Sequence, residues 1–339
     1  MNNYTIISDI EKIDIKNWKK FIINHDKGNI FQTPFFFNIN DEINNHNPFI
    51  SVLLNRNNEL VGVLLGVTIS YFGINSVITS RDVIIGGPVV LNNDEKLISM
   101  LLDNYASINS KNVLFTEIRN INEQLNENDA YQKSSFKFND HLNFLIDLSV
   151  TKNDLWLKIS RSKRKLIRKS EKLGVYFVEV DIEDFSKLEE GYAILYEVYQ
   201  RARLPLPKID IFKNAVKESN DDYRIKIFSV YVENKMVGVR FALIFKKDIY
   251  GWYAGSYSEF YNYYPNELLA WKTIEWGLDS GFRKFDYGGA GKPNDAYGVR
   301  DFKSKFGGEL VNFGRYKRIH KPLLLNIAEL GFKLKQKIS

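Results

Sequence analysis

The residues best suited to chemistry sit near the end of the chain. They are Asp286-Tyr287-Gly288-Gly289-Ala290-Gly291-Lys292-Pro293, followed by Tyr297-Gly298-Val299-Arg300-Asp301-Phe302-Lys303-Ser304-Lys305. Clustered glycines let a backbone approach a ligand or turn with positive φ, and Arg300, Lys303 and Lys305 fall on adjoining helical turns. The pattern predicts a strand, a tight loop and a cationic helix face. In that arrangement Lys303, helped by Lys305, supplies positive charge to a reacting centre, and Arg300, Gly289 and Gly291 hold the ligand. The amides of Gly288 to Gly291 are expected to add hydrogen bonds to a developing oxyanion.

Two other uses of such a loop do not fit. A Walker A loop needs Gly six positions before its Lys and Ser or Thr after it, where Asp286 and Pro293 stand around Lys292. A dinucleotide fingerprint belongs directly after the first strand of a βαβ unit, and this loop lies near the end of the chain.

Elimination narrows the chemistry further. The chain has no cysteine, and its four histidines, at 25, 46, 141 and 320, make no His-x-x-x-His pair. Neither a metal-ligand cluster nor a Ser-His-Asp or cysteine nucleophile is expected, and no cofactor is called for. What remains is direct attack by a bound nucleophile on an acyl group, a step that runs on positioning and on charge stabilisation of the tetrahedral oxyanion.

Other stretches are candidates for holding the reactants. Alternation along a strand over 249–257 sends Tyr253 and Tyr257 to one face together with Gly251 and Gly255, leaving room above that face. Arg201 and Arg203 precede Pro205 and Pro207, and they either fork onto anionic oxygens or compensate a helix C-terminus. Residues 158–172 hold eight basic residues out of fifteen, and Leu166 with Ile167 make too thin an apolar stripe for a buried helix. A solvated helix is expected, whose Arg161, Lys163, Arg164, Lys165, Arg168 and Lys169 either track the phosphates of a nucleic acid or simply face water.

The elements that must position these residues recur. A hairpin at 51–65, a strand at 84–90 with glycines in it, a helix from Asp94 and a strand from Val113 are matched by a hairpin at 229–239, a strand at 249–256, a helix from Pro265 and a strand at 283–288. Leu97 answers Leu268 and Phe115 answers Phe285. This implies two copies of one unit, of the α+β class with mixed α/β sheets, in domains 1–150 and 151–319. In the helix from Pro265, Glu275 falls in the apolar sector and needs a cation, Lys272 or Arg283. Past Pro322, Leu323, Leu324, Ile327, Leu330, Phe332 and Leu334 form an amphipathic tail ending in Lys333, Lys335 and Lys337, which either docks on the body or lies on a membrane surface.

With 339 residues, 44% hydrophobic, the chain can bury two cores. Its start lacks the pattern of a secretory signal, and no apolar run reaches the roughly 20 residues that span a bilayer. A cytoplasmic chain, with no transmembrane segment, is therefore expected. The net charge of +6 suits an anionic partner only weakly, because Lys, Asn and Ile are abundant everywhere.

Taken together and in order, Phe31-Gln32-Thr33-Pro34, Gly86-Gly87-Pro88-Val89, Phe115-Thr116-Glu117-Ile118-Arg119, His141-Leu142-Asn143-Phe144, the basic helix, Ala254-Gly255-Ser256-Tyr257 and the stretch 286–316 resemble the FemAB family. The resemblance implies two acetyltransferase-like (GNAT) domains in tandem, with the C-terminal segment 320–339 packing back on the first. Its best-known members move an amino acid from aminoacyl-tRNA to an amine of a peptidoglycan precursor. The resemblance implies the same partners here; a monomer, cytoplasmic or peripherally at the inner face of the membrane, is expected. It sets Lys303 beside the reacting ester and Tyr253 and Tyr257 along the acceptor channel between the domains. This chain departs from the family in having no lysine at 35–39, in having Leu91-Asn92-Asn93 after Val90, and in lacking a coiled-coil arm. The alternative is an acyl-CoA-dependent N-acyltransferase acting on an amino sugar or amino acid. Its glycine-rich pyrophosphate loop should precede the helix at 265, where Ser258 to Tyr264 contains no glycine.

Overall fold

The structure, a computed structural model, describes residues 4–70, 77–123 and 128–328. The chain divides into two units, one made of the residues before 141 and after 312, the other of 141–312. The first unit runs β1 (Tyr4–Ile7), α1 (Ile15–Asn24), α2 (Pro34–Asn40), β2 (His46–Asn55), β3 (Leu60–Ser70), β4 (Ser80–Ile85), β5 (Val89–Val90), α3 (Glu95–Ile108), β6 (Phe115–Arg119), α4 (Asn128–Lys133) and β7 (Lys137–Asn139). The second runs β8 (Leu142–Asp147), α5 (Lys152–Lys158), α6 (Arg161–Lys172), β9 (Tyr176–Val180), α7 (Phe185–Arg201), α8 (Ile209–Lys217), β10 (Tyr223–Val232), β11 (Lys235–Phe245), β12 (Asp248–Ser256), α9 (Pro265–Asp279), β13 (Lys284–Gly289), α10 (Gly298–Lys303) and β14 (Glu309–Asn312). Then β15 (Arg315–Ile319) returns to the first unit.

The same plan is built twice. The first sheet has the order β1-β2-β3-β4-β6-β15-β7, with β5 beside β3, and the second has β9-β10-β11-β12-β13-β8-β14. In each, among the described residues, one pair alone is parallel, β4 with β6 and β12 with β13, and the helix between those two strands, α3 or α9, covers the sheet. The hairpins β2–β3 and β10–β11 are the two matching hairpins of the sequence. Leu97 and Leu268 are buried on α3 and α9. Phe115 opens β6 and Phe285 is the second residue of β13.

Each sheet borrows a strand across the chain. β8 lies between β13 and β14 in the second sheet, so the boundary falls at 140/141 and not after 150. β15 pairs with β6 and β7 in the first sheet. The C-terminal segment continues along the first unit as far as it is described: the amides of His320 and Lys321 donate to Leu114 O, His320 Nε2 lies 2.7 Å from Thr116 Oγ1, and Leu325 is buried. Leu323 and Ile327 of the helix over 322–328 stay 79% and 60% exposed. Leu330, Phe332, Lys333, Leu334, Lys335 and Lys337 lie outside the described residues. No helix among the described residues is long and apolar enough to cross a membrane.

One expectation of the sequence fails in the second unit. The basic helix α6 is not fully solvated: it packs on α9 and buries Lys163, Ile167 and Ser170. Lys163 Nζ reaches Glu267 Oε1 at 2.6 Å and sits 4.2 Å from the centre of the Phe302 ring. The long aliphatic stem of a lysine fills apolar space that its sequence letter does not advertise. Glu275 finds its expected partner Lys272 at 2.8 Å, and Lys152 at 2.7 Å besides.

Candidate active site

Within the second unit the strands β12 and β13 pair only from Asp248↔Lys284 to Tyr250↔Asp286. Beyond that point their edges are free of each other. A bulge at Trp252 interrupts the register of β12 on β11, where Phe241 faces Tyr253 and Ala242 faces Gly251. The bulge reverses which side of the strand each residue takes. Tyr253 packs on Tyr199 and Phe212, and a Cβ on Gly255 would meet Val198, all on the α7 and α8 side. A Cβ on Gly251 would lie 3.2 Å from Arg240 Nη1 and 3.3 Å from the Phe285 ring. The single face expected for 251, 253, 255 and 257 is thus split, and glycine at 251 is what lets the Arg240 guanidinium lie against the strand.

At this opening lies a cavity of about 460 Å³, lined among others by Tyr199, Arg240, Trp252, Tyr253, Tyr297 and Lys303. Its lining includes no carboxylate and no histidine. The two cations therefore dominate its electrostatics.

Lys303 reaches the cavity because of how the loop before α10 folds. Gly288 takes φ 81°, and its amide donates to Asp286 Oδ1 at 2.8 Å, which turns the chain out of β13. Arg300 then ties the loop down: Nη1 donates to Lys292 O at 2.6 Å and more weakly to Ala290 O at 3.4 Å, and Nη2 donates to Asp295 O. One turn on, Lys303 Nζ donates to Gly289 O at 2.9 Å and lies 5.2 Å from the centre of the Tyr287 ring. Burial, reinforced by the positive charge of Arg240 and opposed by Asp286, brings the Lys303 ammonium down to about 7. Burial also lowers Arg240, raises the Asp286 carboxyl, and pushes the Tyr287 phenol up to about 12.

The structure sorts the residues singled out by the sequence. Lys303, Tyr253 and Gly289 line the cavity. Arg300 does not: its guanidinium is spent on loop carbonyls. Lys305 is exposed and does not line the cavity, because the chain passes from α10 into a tighter 3₁₀ turn over 304–306 that changes the projection of its side chain. Gly291, at φ 74°, turns the loop against Tyr297 and does not line the cavity. The Gly288 amide is taken by Asp286 and that of Ala290 by Leu142 O, so neither amide is open to an oxyanion.

The remaining candidates lie elsewhere on the unit. Tyr257 lies outside the cavity with Lys235 Nζ 5.4 Å from its ring centre. Arg201 is held by Glu197 at 3.1 Å, Ser258 at 2.9 Å and Tyr261 at 2.9 Å. Arg203 is the left-handed residue just past α7, at φ 53°, not the extended one its nearness to proline suggests, and it is exposed outside the cavity. On α6, Arg161 and Lys165 are exposed, Arg168 lies over the Trp156 ring, and Lys169 donates to Tyr264 Oη at 3.0 Å. Arg164 is half-buried, with Nε lacking a hydrogen-bond partner.

Sequence reasoning missed Arg240, the deepest cation of the site. The signal was there: it is the only charged residue between Val237 and Phe245, an apolar strand in which a charge calls for a reason.

Residues 158–304 match the family described as acetyltransferase (GNAT) domain. This span has the fold of a GNAT domain. Its parallel β12–β13 pair, parting beside α9, and the cavity at the parting both fall inside the matched residues. The whole chain has the tandem GNAT fold: it superposes on the crystal structure of FemX with a TM-score of 0.71 at 14% identity, over 96% of this chain and 100% of that one. The C-terminal domain of a putative lysylphosphatidylglycerol synthetase from Agrobacterium fabrum gives 0.61 at 11% identity, over 94% and 95%. A tandem GNAT protein from the clavulanic acid biosynthesis pathway gives 0.61 at 7%, over 94% and 98%. At these identities the likeness is one of fold. No curated protein matches the chain in sequence.

Proposed function

We propose that this protein is an aminoacyltransferase that moves an amino acid from aminoacyl-tRNA to an amine of a peptidoglycan or envelope-glycan precursor by direct attack. The observation that carries the reading is the cavity of the second unit, which holds a half-buried lysine and no carboxylate or histidine to act as base. The tandem fold shared with FemX and the resemblance of the sequence motifs to the FemAB family support the choice of donor.

The chemistry follows from Lys303. Held near neutrality by burial, its amine takes the proton of the attacking substrate nitrogen as the new C–N bond forms at the ester carbonyl. The resulting ammonium faces the oxyanion, and when the C–O bond breaks it returns the proton to the leaving hydroxyl. The Gly289 carbonyl, 2.9 Å from Nζ, keeps the amine aimed. The exposed cations of α6, Arg161 and Lys165 with Arg168, give phosphates of the tRNA a place to rest. The exposed Leu323 and Ile327 offer a peripheral foothold on the membrane where lipid-linked precursors reside.

The match to an acetyltransferase family favours a second reading, an acyl-CoA-dependent N-acyltransferase. Against it, α9 begins at Pro265 after a left-handed Tyr264 and a 3₁₀ turn over Ser258–Tyr263, with Glu267 in its first turn. A helix N-terminus so furnished is a poor cradle for a pyrophosphate. The test is transfer of labelled amino acid from charged tRNA to an amine acceptor by the purified protein. Turnover with acyl-CoA and none with charged tRNA would overturn the reading in favour of the second.

A further inference from the structure

Arg240 lines the cavity yet is only 6% exposed. Its guanidinium lies beside a pair of adjoining aromatic rings, 5.5 Å from the centre of Phe285 and 4.9 Å from that of Tyr287, which are themselves 5.2 Å apart. Its Nε has no hydrogen-bond partner, and the group that interacts favourably with its charge is the neutral Tyr287 phenol. No carboxylate lines the cavity, and the other cation there, Lys303, repels it. A buried guanidinium without a counter-charge is unfavourable, and the ring faces with the neutral Tyr287 phenol offset it only in part.

We infer that Arg240 is completed by the ligand: its fork pairs with a carboxylate of the acceptor, so the acceptor is an amino acid or peptide that carries a free carboxylate within the same cavity as the amine to be acylated. Planar, delocalised and packed against these rings, the guanidinium presents parallel donors that match a carboxylate in two places. A phosphoryl group can also take the fork, but its third oxygen and second charge call for donors beyond it. The nearest helix start carries Glu267 in its first turn, whose negative charge disfavours a dianion there. A neutral amino sugar would leave Arg240 without a counter-charge. The term acceptor rests on the proposed acyl transfer, whereas the anion site stands on Arg240 alone.

The experiment is calorimetry on the full chain with the tripeptide Ala-Lys-Ala and its C-terminal amide, and with acetate and inorganic phosphate as competitors. The acid should bind at least about 10-fold more tightly than the amide, with acetate competing. Arg240→Met should abolish that preference and raise the Tm, because it removes a buried unpaired charge, while Arg240→Lys should keep a weakened preference. Equal binding of acid and amide, competition by phosphate but not acetate, a preference that survives in Arg240→Met, or a lower Tm for that variant would each overturn the inference. Carboxylate preference with no acyl transfer from any donor would sink the proposed function and leave this site standing. Equal transfer to acid and amide acceptors would sink the site and leave the function.

Discussion

Lys303 Nζ and the carbonyl of Gly289 are 2.9 Å apart, so the residue that ends α10 is hydrogen-bonded to the strand end from which the loop departs. The bond fixes the amine at the cavity wall, and removing the amine removes both proton carrier and charge. Lys303→Met is expected to lower acyl transfer about 100- to 1,000-fold, equivalent to about 3–4 kcal/mol of transition-state stabilisation. The same variant should melt no lower than the parent, since a buried amine is replaced by an apolar chain of similar length. Single-turnover transfer and a thermal melt measure the two effects.

The pH dependence follows from the lowering of Lys303 to about 7. Transfer needs the neutral amine, so kcat/KM should rise with pH through about 7, and the limb should vanish in Lys303→Met. A rate that instead falls across that range would mean that the ammonium serves only as a charge. For stability the sign is also fixed: between about pH 7 and 10.5 the unfolded lysine holds its proton and the folded one has lost it. Stability rises with pH in that window, by about 2–4 kcal/mol relative to Lys303→Met. Urea denaturation of both proteins at neutral and alkaline pH reads the difference.

Arg300 and Lys305 should behave differently, although the sequence placed both with Lys303. Arg300→Ala frees the carbonyls of Lys292 and Asp295 and should cost about 1–2 kcal/mol while raising the KM for acceptor through a loosened loop. Lys305→Ala should leave rate and stability within about 0.5 kcal/mol of the parent. Steady-state kinetics on the pair decide it, and a loss of activity in Lys305→Ala would restore that residue to the site.

The basic helix α6 carries two kinds of cation. Lys163→Ala strands the buried Glu267 and should cost about 3–5 kcal/mol, whereas Lys163→Met with Glu267→Leu should be nearly neutral. Arg161→Glu with Lys165→Glu should leave the Tm unchanged and weaken tRNA binding, with a shallower salt dependence. Melting curves and salt-titrated RNA binding distinguish the two sets. Unchanged RNA binding in the double reversal would remove α6 from the interface.

Much of the plan is legible in single residues. The doubled hairpin and the matching pairs Leu97 with Leu268, both buried, and Phe115 with Phe285, of which only Phe285 is fully buried, follow from periodicity, since alternation and helical spacing dictate which side chains must leave water. Lys303 is legible because a lysine one helical turn from a glycine-rich strand end has few other uses. Lys163 is not: a cation that pairs with Glu267, 104 residues away in sequence, looks the same in a string as one that faces water.

By itself the sequence determined the class of fold, its repetition and the loop that presents Lys303, because these depend on local spacing and on glycine placement. Only the tertiary structure decided that β8 and β15 complete each other's neighbouring sheets, that a bulge at Trp252 divides the tyrosines of β12, and that Arg240 and Lys303 share one cavity. The reason is physical: strand pairing and the burial of charge are set by contacts between residues far apart along the chain, and the free energy of an ionised side chain depends on what surrounds it more than on its neighbours in sequence.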